Sequence, residues 1–485
     1  MKKKLVTAFF IMLFIILVFP AAASAADYDI NGQATVTIPA GTHRVYDSNP
    51  SIEATQIICS SPATILTIDN INIDLYGVSS SPVISFTGAG NRLILVGDNY
   101  LYAGTGCAAV SVEVGTSLTI RGSGYLEALG GEEGAGIGSG NSAGTGTIVI
   151  NNGDIAAASM GYGAGIGGGR NQSGGNITIN GGLIYAETIG FGGAGIGGGD
   201  SGDGGNITIN GGTIVILTDT GAAIGGGAGA DGGNILITGG DIYSDTFGPA
   251  AGVGGGDGGA AGTIRITGGI VDCLSYDGAG IGSGSGAGAG AGTVEITGGT
   301  VYGFCDFEGA GIGGGNLSSL TSITITGGTV LGSSEGACGI GTGANASGGS
   351  ISIGGNALVH AWGDTVYPDI GDSLSSFVIS GYSEVFLGEG ILNDIPTTSH
   401  TYEPGTRLAG PTLTGAGNAY NFSAPQIPGN WEANSLGGYF AERPAVNPTT
   451  DIRGTTYLLL ILLTLISSLA LIAKCYFDVK VYKKK

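Results

Sequence analysis

Apolar and polar positions alternate in short runs along most of this chain, and the runs recur. In NITI (176–179), Ile177 and Ile179 fall on one side with Thr178 between them. The same pair returns as Leu118/Ile120, Ile148/Ile150, Ile207/Ile209, Ile235/Ile237, Ile264/Ile266, Val294/Ile296, Ile323/Ile325 and Ile351/Ile353. The residue between the pair is unconstrained, from Thr208 and Leu236 to Arg265 and Glu295. A period of two with one aliphatic face predicts a strand buried on one side. Before each such strand stands a glycine-rich phrase of the GAGIG type, beginning at 107, 134, 163, 193, 221, 250, 278, 309 and 337, so the repeat is 27 to 31 residues long. After most of them come GG and a third short apolar run, with inward positions at Ile184, Ile214, Ile242, Val271, Val301 and Val330.

Three short strands in about 29 residues, none able to bury its face alone, predict coils stacked on one another. The expected fold is all-β. It is a parallel β-helix of three sheets and about 10–12 coils, each coil adding one strand per sheet about 4.8 Å from the last. Leucine-rich repeats are excluded by the missing Leu/Asn spacing, and propellers by their four strands per unit. Glycine belongs at the corners, where φ turns positive. After each middle strand a polar column (Asn151, Asn180, Asn210, Thr238, Thr267) predicts side chains hydrogen-bonded from rung to rung. Alternation in the first strand puts Ala164 and Ile166 inward. It leaves the column Gly136, Gly165, Gly195, Ala223, Gly252, Gly280, Gly311 and Gly339 facing out, as a bare docking face or one covered by a loop.

Composition and charge place this rod outside the cell. Glycine is 101 of 485 residues with no Gly-X-Y period, so collagen is excluded; at 42% hydrophobic and 11% charged, disorder is a poor reading. Residues 1–25 combine Lys2–Lys4, an apolar run and Ala23-Ser24-Ala25, the pattern of a secretory signal peptide. Residues 455–473 are uncharged and long enough to cross a bilayer as one helix, and the basic tail 474–485 is expected on the cytoplasmic side. Between them lie N-terminal strands and first coils (26–105), the repeats (106–392) and a Pro-rich stalk (393–454) with seven of the fourteen prolines. All eight lysines fall in the signal peptide or tail. The expected exterior therefore sets eight arginines against 36 acids, a net −28, which excludes nucleic acid as a partner. Five exterior cysteines, odd in number and scattered, read as small core residues with at most one or two bridges.

Little in the pattern points to catalysis. The exterior has no lysine, its histidines (His43, His360, His400) are isolated, and no outward column holds a compact acidic pair. A polysaccharide lyase or hydrolase is therefore the weakest alternative. The third strand's outward column does place Tyr185, Tyr243 and Tyr302 on every second rung, about 9.6 Å apart. Aromatic faces at that spacing suit the disaccharide repeat of an extended glycan; the competing reading is that they pack on their neighbours. Asp200 and Asp203, in GGGDSGDGG, are weak calcium candidates, and no other cofactor is expected. A second aromatic group (Trp362, Tyr367, Phe377, Tyr382, Phe386) is expected to cap the open end of the core.

The order LTIDNINIDLYG, NRLILVGDNYLYAG, SLTIRGSGYLEALGG, then repeated GGNITINGGLIYA with GAGIGGG, resembles a family of exported microbial surface proteins described as adhesin-like or carbohydrate-binding. The likeness covers roughly residues 60–362. It implies a right-handed β-helix with a surface role and supplies no catalytic residues. No LPXTG-type sorting signal precedes Thr455, so a membrane span takes its place. The expectation is a non-catalytic, single-pass surface protein that binds a glycan or a neighbouring cell-surface polymer. A purely structural envelope or stalk protein is the main alternative.

Overall fold

The computed structural model describes residues 25–387 apart from short internal stretches, together with four short strands between His400 and Ala441. The expected signal peptide, membrane span and basic tail lie outside the described residues, as does most of the stalk. Among the described residues no helix is long and apolar enough to cross a membrane.

The chain winds into a β-solenoid of about 11 turns. Its first, second and third sheets hold 13, 15 and 13 strands, in the order the strands occur within a coil. Neighbouring rungs pair in parallel and in register. Ile177 lies beside Ile148 and Ile207, and Ile179 beside Ile150 and Ile209. The same register carries Ile184 between Ile155 and Ile214 in the third sheet. All of these side chains are at most 1% exposed, so the expected inward pairs form one continuous aliphatic core. The expected polar column is also present. Asn180 Nδ2 donates to Asn151 Oδ1 at 2.8 Å, Asn210 Nδ2 to Asn180 Oδ1 at 2.8 Å, and Thr238 Oγ1 to Asn210 Oδ1 at 2.8 Å.

The glycine column is a correction. It faces inward. Gly136, Gly165, Gly195 and their equivalents to Gly339 are buried, and Ala223, which takes their place in one rung, is fully enclosed. A Cβ on Gly136 would lie 2.6 Å from Ala128 O, one on Gly280 2.5 Å from Phe304 N, and one on Gly339 2.5 Å from Trp362 N. Those atoms belong to third-sheet backbone, so at these rungs the first and third sheets meet too closely for a side chain, and between Gly136 and Gly339 only the Ala223 rung accommodates a methyl group. Strict alternation failed because, from Val110–Ser111 onward, first-sheet strands are only two residues long, as in Ile166–Gly167. The preceding alanine turns into its own loop, and Ala164 N–H donates to Gly168 O at 2.8 Å.

Other expectations are met or shifted by small amounts. None of the five described cysteines forms a disulfide; four are buried and one, Cys107, is half-buried. Phe377 does not cap the core but extends its inward column beside Ile351, while Trp362 takes an outward third-sheet position beside Ser333. Tyr382 and the Phe386 side chain lie outside the described residues. Beyond the expected end at 392, His400–Tyr402 and Arg407–Ala409 still add a strand each to the second and third sheets. Trp431–Ala433 and Tyr439–Ala441 form an antiparallel pair in a separate unit, Pro425–Lys485.

Two glycines separate conformational strain from steric exclusion. Gly167 has φ +136° and a Cβ there would collide with the Gly197 carbonyl; Gly229 has φ +76° but its Cβ would meet nothing within 4 Å. Gly229→Ala should cost about 1 kcal/mol, the left-handed penalty alone, and Gly167→Ala at least about 2 kcal/mol more. Urea unfolding of the two variants measures the difference, and equal losses would contradict the close approach.

Candidate carbohydrate-binding face

The outward side of the third sheet carries most of the chemistry. Its register puts Tyr185 two rungs from Tyr243 and Tyr243 two rungs from Tyr302, with Val215 and Asp272 between, as expected. Exposure divides this ladder. Tyr185 and Tyr243 are half-buried, but Tyr302 is 8% exposed, with its ring stacked on Phe304 at 6.3 Å between centroids. The same column stays buried on either side of it, at Asp272, Leu331 and His360. Burial lowers the His360 pKa to about 4, so the ring is neutral at physiological pH. Tyr302 thus packs on its neighbours, and a three-tyrosine platform is reduced to its first two members.

A denser group lies towards the N-terminus. The strand Asp98–Tyr102 supplies Tyr100 and Tyr102, and the next rung, Tyr125–Gly130, supplies Tyr125 and Glu127. Glu127 is beside Tyr100 in register and accepts two phenolic hydrogen bonds, from Tyr102 Oη at 2.7 Å and from Tyr125 Oη at 3.0 Å. Tyr100 meets Tyr125 edge to face, centroids 5.8 Å apart. The following rung, Asp154–Ser159, presents Asp154 beside Tyr125 and then Ala156 and Ala158 beside Glu127 and Leu129. The rung after that restores the theme: Tyr185 is beside Ala156, Glu187 beside Ala158, and Tyr185 Oη donates to Glu187 Oε2 at 3.0 Å. Two short side chains between taller ones make a shallow trough. Its walls, each a tyrosine tied to a glutamate, are two rungs or about 9.6 Å apart.

The electrostatics follow from this crowding. Burial, reinforced by the Glu127 charge, holds the Tyr102 and Tyr125 phenols well above the usual tyrosine range. Burial raises the Glu187 carboxyl, partly offset by the Tyr185 hydrogen bond. An ionised carboxylate holds about four lone-pair sites, so Glu127 can take two phenols and still accept from a ligand hydroxyl. The phenols stay neutral donors. Sequence reading recognised Tyr185 but missed Tyr100, Tyr102 and Tyr125, because these precede the clear repeats. The signal was present in the spacing of NYLY and YLE, which put alternate residues on one face.

Asp200 and Asp203 each engage a different partner. Asp200 Oδ2 lies 3.5 Å from Arg170 Nε, and Asp203 Oδ1 accepts the Asp231 N–H of the next coil at 3.2 Å. Asp231 repeats the device on Ala260 N–H at 2.9 Å, so these turn acids tie coil to coil. Among the described residues no group of three or more His, Cys, Asp or Glu is placed to hold a metal ion. A hollow of about 330 Å³ lined by Pro82, Cys107, Glu113, Glu133 and Asn141 lies elsewhere. Glu133 there is engaged by Arg170 at 3.0 Å, and burial and Glu113 raise the Cys107 thiol, which weakens it as a nucleophile.

Comparison with protein-family models, curated proteins and solved structures found no match to this chain.

The buried phenols make an alkaline signature. Their folded pKa values exceed the unfolded value of about 10, so their contribution is complete below that pH and is lost as pH rises through the folded values. Stability should begin to fall as pH rises above about 10, and Tyr102→Phe with Tyr125→Phe should flatten that fall. Urea midpoints across this range test it; identical slopes would mean the two phenols ionise as in the unfolded chain.

Proposed function

We propose that this chain is an exported, membrane-anchored β-solenoid that binds neutral polysaccharide through the N-terminal part of its third sheet. The observation that carries this reading is the alanine rung between two tyrosine–glutamate rungs. Phenol rings offer apolar faces to the C–H side of a pyranose, and carboxylates accept its hydroxyls in charge-assisted hydrogen bonds. The hydrogen bonds to Glu127 and Glu187 fix the tyrosines before any ligand arrives, which lowers the ordering cost of binding. An extended sugar chain laid along the solenoid axis would cross both walls, because its period and the two-rung period are comparable. The signal-peptide pattern, the apolar stretch 455–473 and the acidic exterior support a position on the outer cell surface. The excess of negative charge favours uncharged sugars over acidic ones.

The test uses the detergent-solubilised full chain with microcrystalline cellulose and a soluble neutral β-glucan. Retention is expected, and Tyr100→Ala, Tyr125→Ala and Tyr185→Ala combined should weaken it at least ten-fold, about 1.4 kcal/mol. Retention unchanged by the triple variant would remove the tyrosine face from the mechanism. No retention on either polymer would favour a structural spacer, and release of soluble sugar would replace binding with catalysis.

A further inference from the structure

The second sheet has an outward face of a different kind. From Thr147 to Ser352 its outward positions are mostly Thr, Asn and Ser, with Val149 and Leu236 in the central column, and the only charges, Arg265 and Glu295, neutralise each other at 3.1 Å. This occurs in a chain whose expected exterior carries a net −28. Two asparagine ladders run along it. One is the expected column of Asn151, Asn180 and Asn210. The other starts each strand: Asn206 Nδ2 donates to Asn176 Oδ1 at 2.9 Å and Asn234 Nδ2 to Asn206 Oδ1 at 2.9 Å. All six asparagines are exposed. The ladders flank the Thr178–Thr208 column, so rows lie about 6.7 Å apart along the strand and rungs about 4.8 Å apart.

Each inner amide gives one N–H to the rung before and accepts one from the rung after. It therefore keeps a second N–H and a second lone pair for something outside. Those remaining groups repeat at the rung spacing, on side chains already held in place. A neutral, preformed, periodic face selects a neutral partner with a matching period. Nucleic acids and acidic polymers are repelled by the rest of the rod, and so is a second copy carrying the same charge. No aromatic side chain stands in these columns, so the face does not stack on the flat side of a sugar ring. It meets polar edges. A crystalline polysaccharide of N-acetylated amino sugars presents such edges, because its neighbouring chains are joined by amide N–H to carbonyl hydrogen bonds. The repeat of any such amide ladder is set by the same bond, at about 4.8 Å.

We infer that the outward face of the second sheet, between Thr147 and Thr238, docks on the surface of a crystalline N-acetylated polysaccharide through its two asparagine ladders. The inference rests on the reading of this rod as a polysaccharide binder, but it uses a face separate from the tyrosine trough. The full chain, produced without N-glycosylation because Asn176 and Asn206 stand in Asn-X-Thr sequons, is sedimented with chitin powder and with microcrystalline cellulose. Chitin should retain it at least ten-fold more tightly. Changing Asn176, Asn180, Asn206, Asn210 and Asn234 together to Thr, the residue later rungs carry at these positions, should abolish that preference and leave cellulose retention unchanged. A second variant, Thr178→Lys with Thr208→Lys, keeps the ladders but raises bulk and charge between them, and it should lose chitin as well. Equal retention on the two polymers, or chitin preference surviving in both variants, overturns the assignment. Loss of chitin retention only on the tyrosine substitutions would overturn it while leaving the trough reading intact. Self-association of the wild type that disappears in the lysine variant would give the face to a second copy instead.

Discussion

Everything in this molecule depends on how closely two backbones approach inside each coil. The first sheet lies against the third with glycine between them, and at Gly136, Gly165, Gly280, Gly311 and Gly339 the atoms a Cβ would strike are backbone carbonyl oxygens and amide nitrogens, while at Gly195 the nearest is Ile216 Cγ2. Backbone cannot shift at one rung without shifting at the next, because Ile137, Ile166 and Ile196 and their following glycines are in register along the whole sheet. The constraint is therefore collective. It fixes the coil cross-section, and the cross-section fixes which residues of the longer strands point outward. Glycine that would soften an isolated chain here removes the only atoms that would keep the sheets apart.

With the interior settled this way, the outward faces are free to differ. The third sheet gathers tyrosines and carboxylates, and the second, from Thr147 onward, gathers mostly amides and hydroxyls with few charges. Each group inherits a spacing it did not have to create. Glu127 and Glu187 sit in walls two rungs apart because the coils do, and the asparagines bond in a line because their backbones are stacked. Such side chains are ordered by the core beneath them. A ligand meeting either face loses little of its binding energy to ordering the protein.

How much of this was legible in the sequence follows from strand length. In four- to six-residue strands alternation holds, so Ile177, Ile184 and their equivalents were assigned correctly and the register followed from the repeat. In the two-residue strands it does not hold, and Gly136 and Gly165 were placed on the wrong side. The register of the tyrosine ladder was legible, but the difference in exposure along it was not. Nothing local distinguishes Tyr185 from Tyr302, since their burial is decided by residues outside their own strands. Tyr100, Tyr102 and Tyr125 escaped notice because the glycine phrase that marks a coil is degenerate before residue 134. The second asparagine ladder was missed for a simpler reason. Only the column after each middle strand was followed, whereas the pairing of Asn176 with Asn206 makes the strand's first residue a rung member as well.

Inward constancy in a stacked fold needs no function to explain it, since every rung faces the same core. Outward constancy does. Rung-to-rung hydrogen bonding accounts for an asparagine following an asparagine, or a threonine following either, because each satisfies its neighbour. It does not account for the near absence of charge. Opposite charges on adjacent rungs are compatible with this fold, as Arg265 and Glu295 demonstrate in the same sheet, and the third sheet accommodates Glu127, Asp154 and Glu187 within three rungs. A rod with such an excess of acids has many to distribute, and folding places no bar on putting them in the second sheet. Their scarcity on this face between Thr147 and Ser352 therefore calls for a reason beyond folding, and the proposed docking on a neutral, regularly repeating partner supplies one.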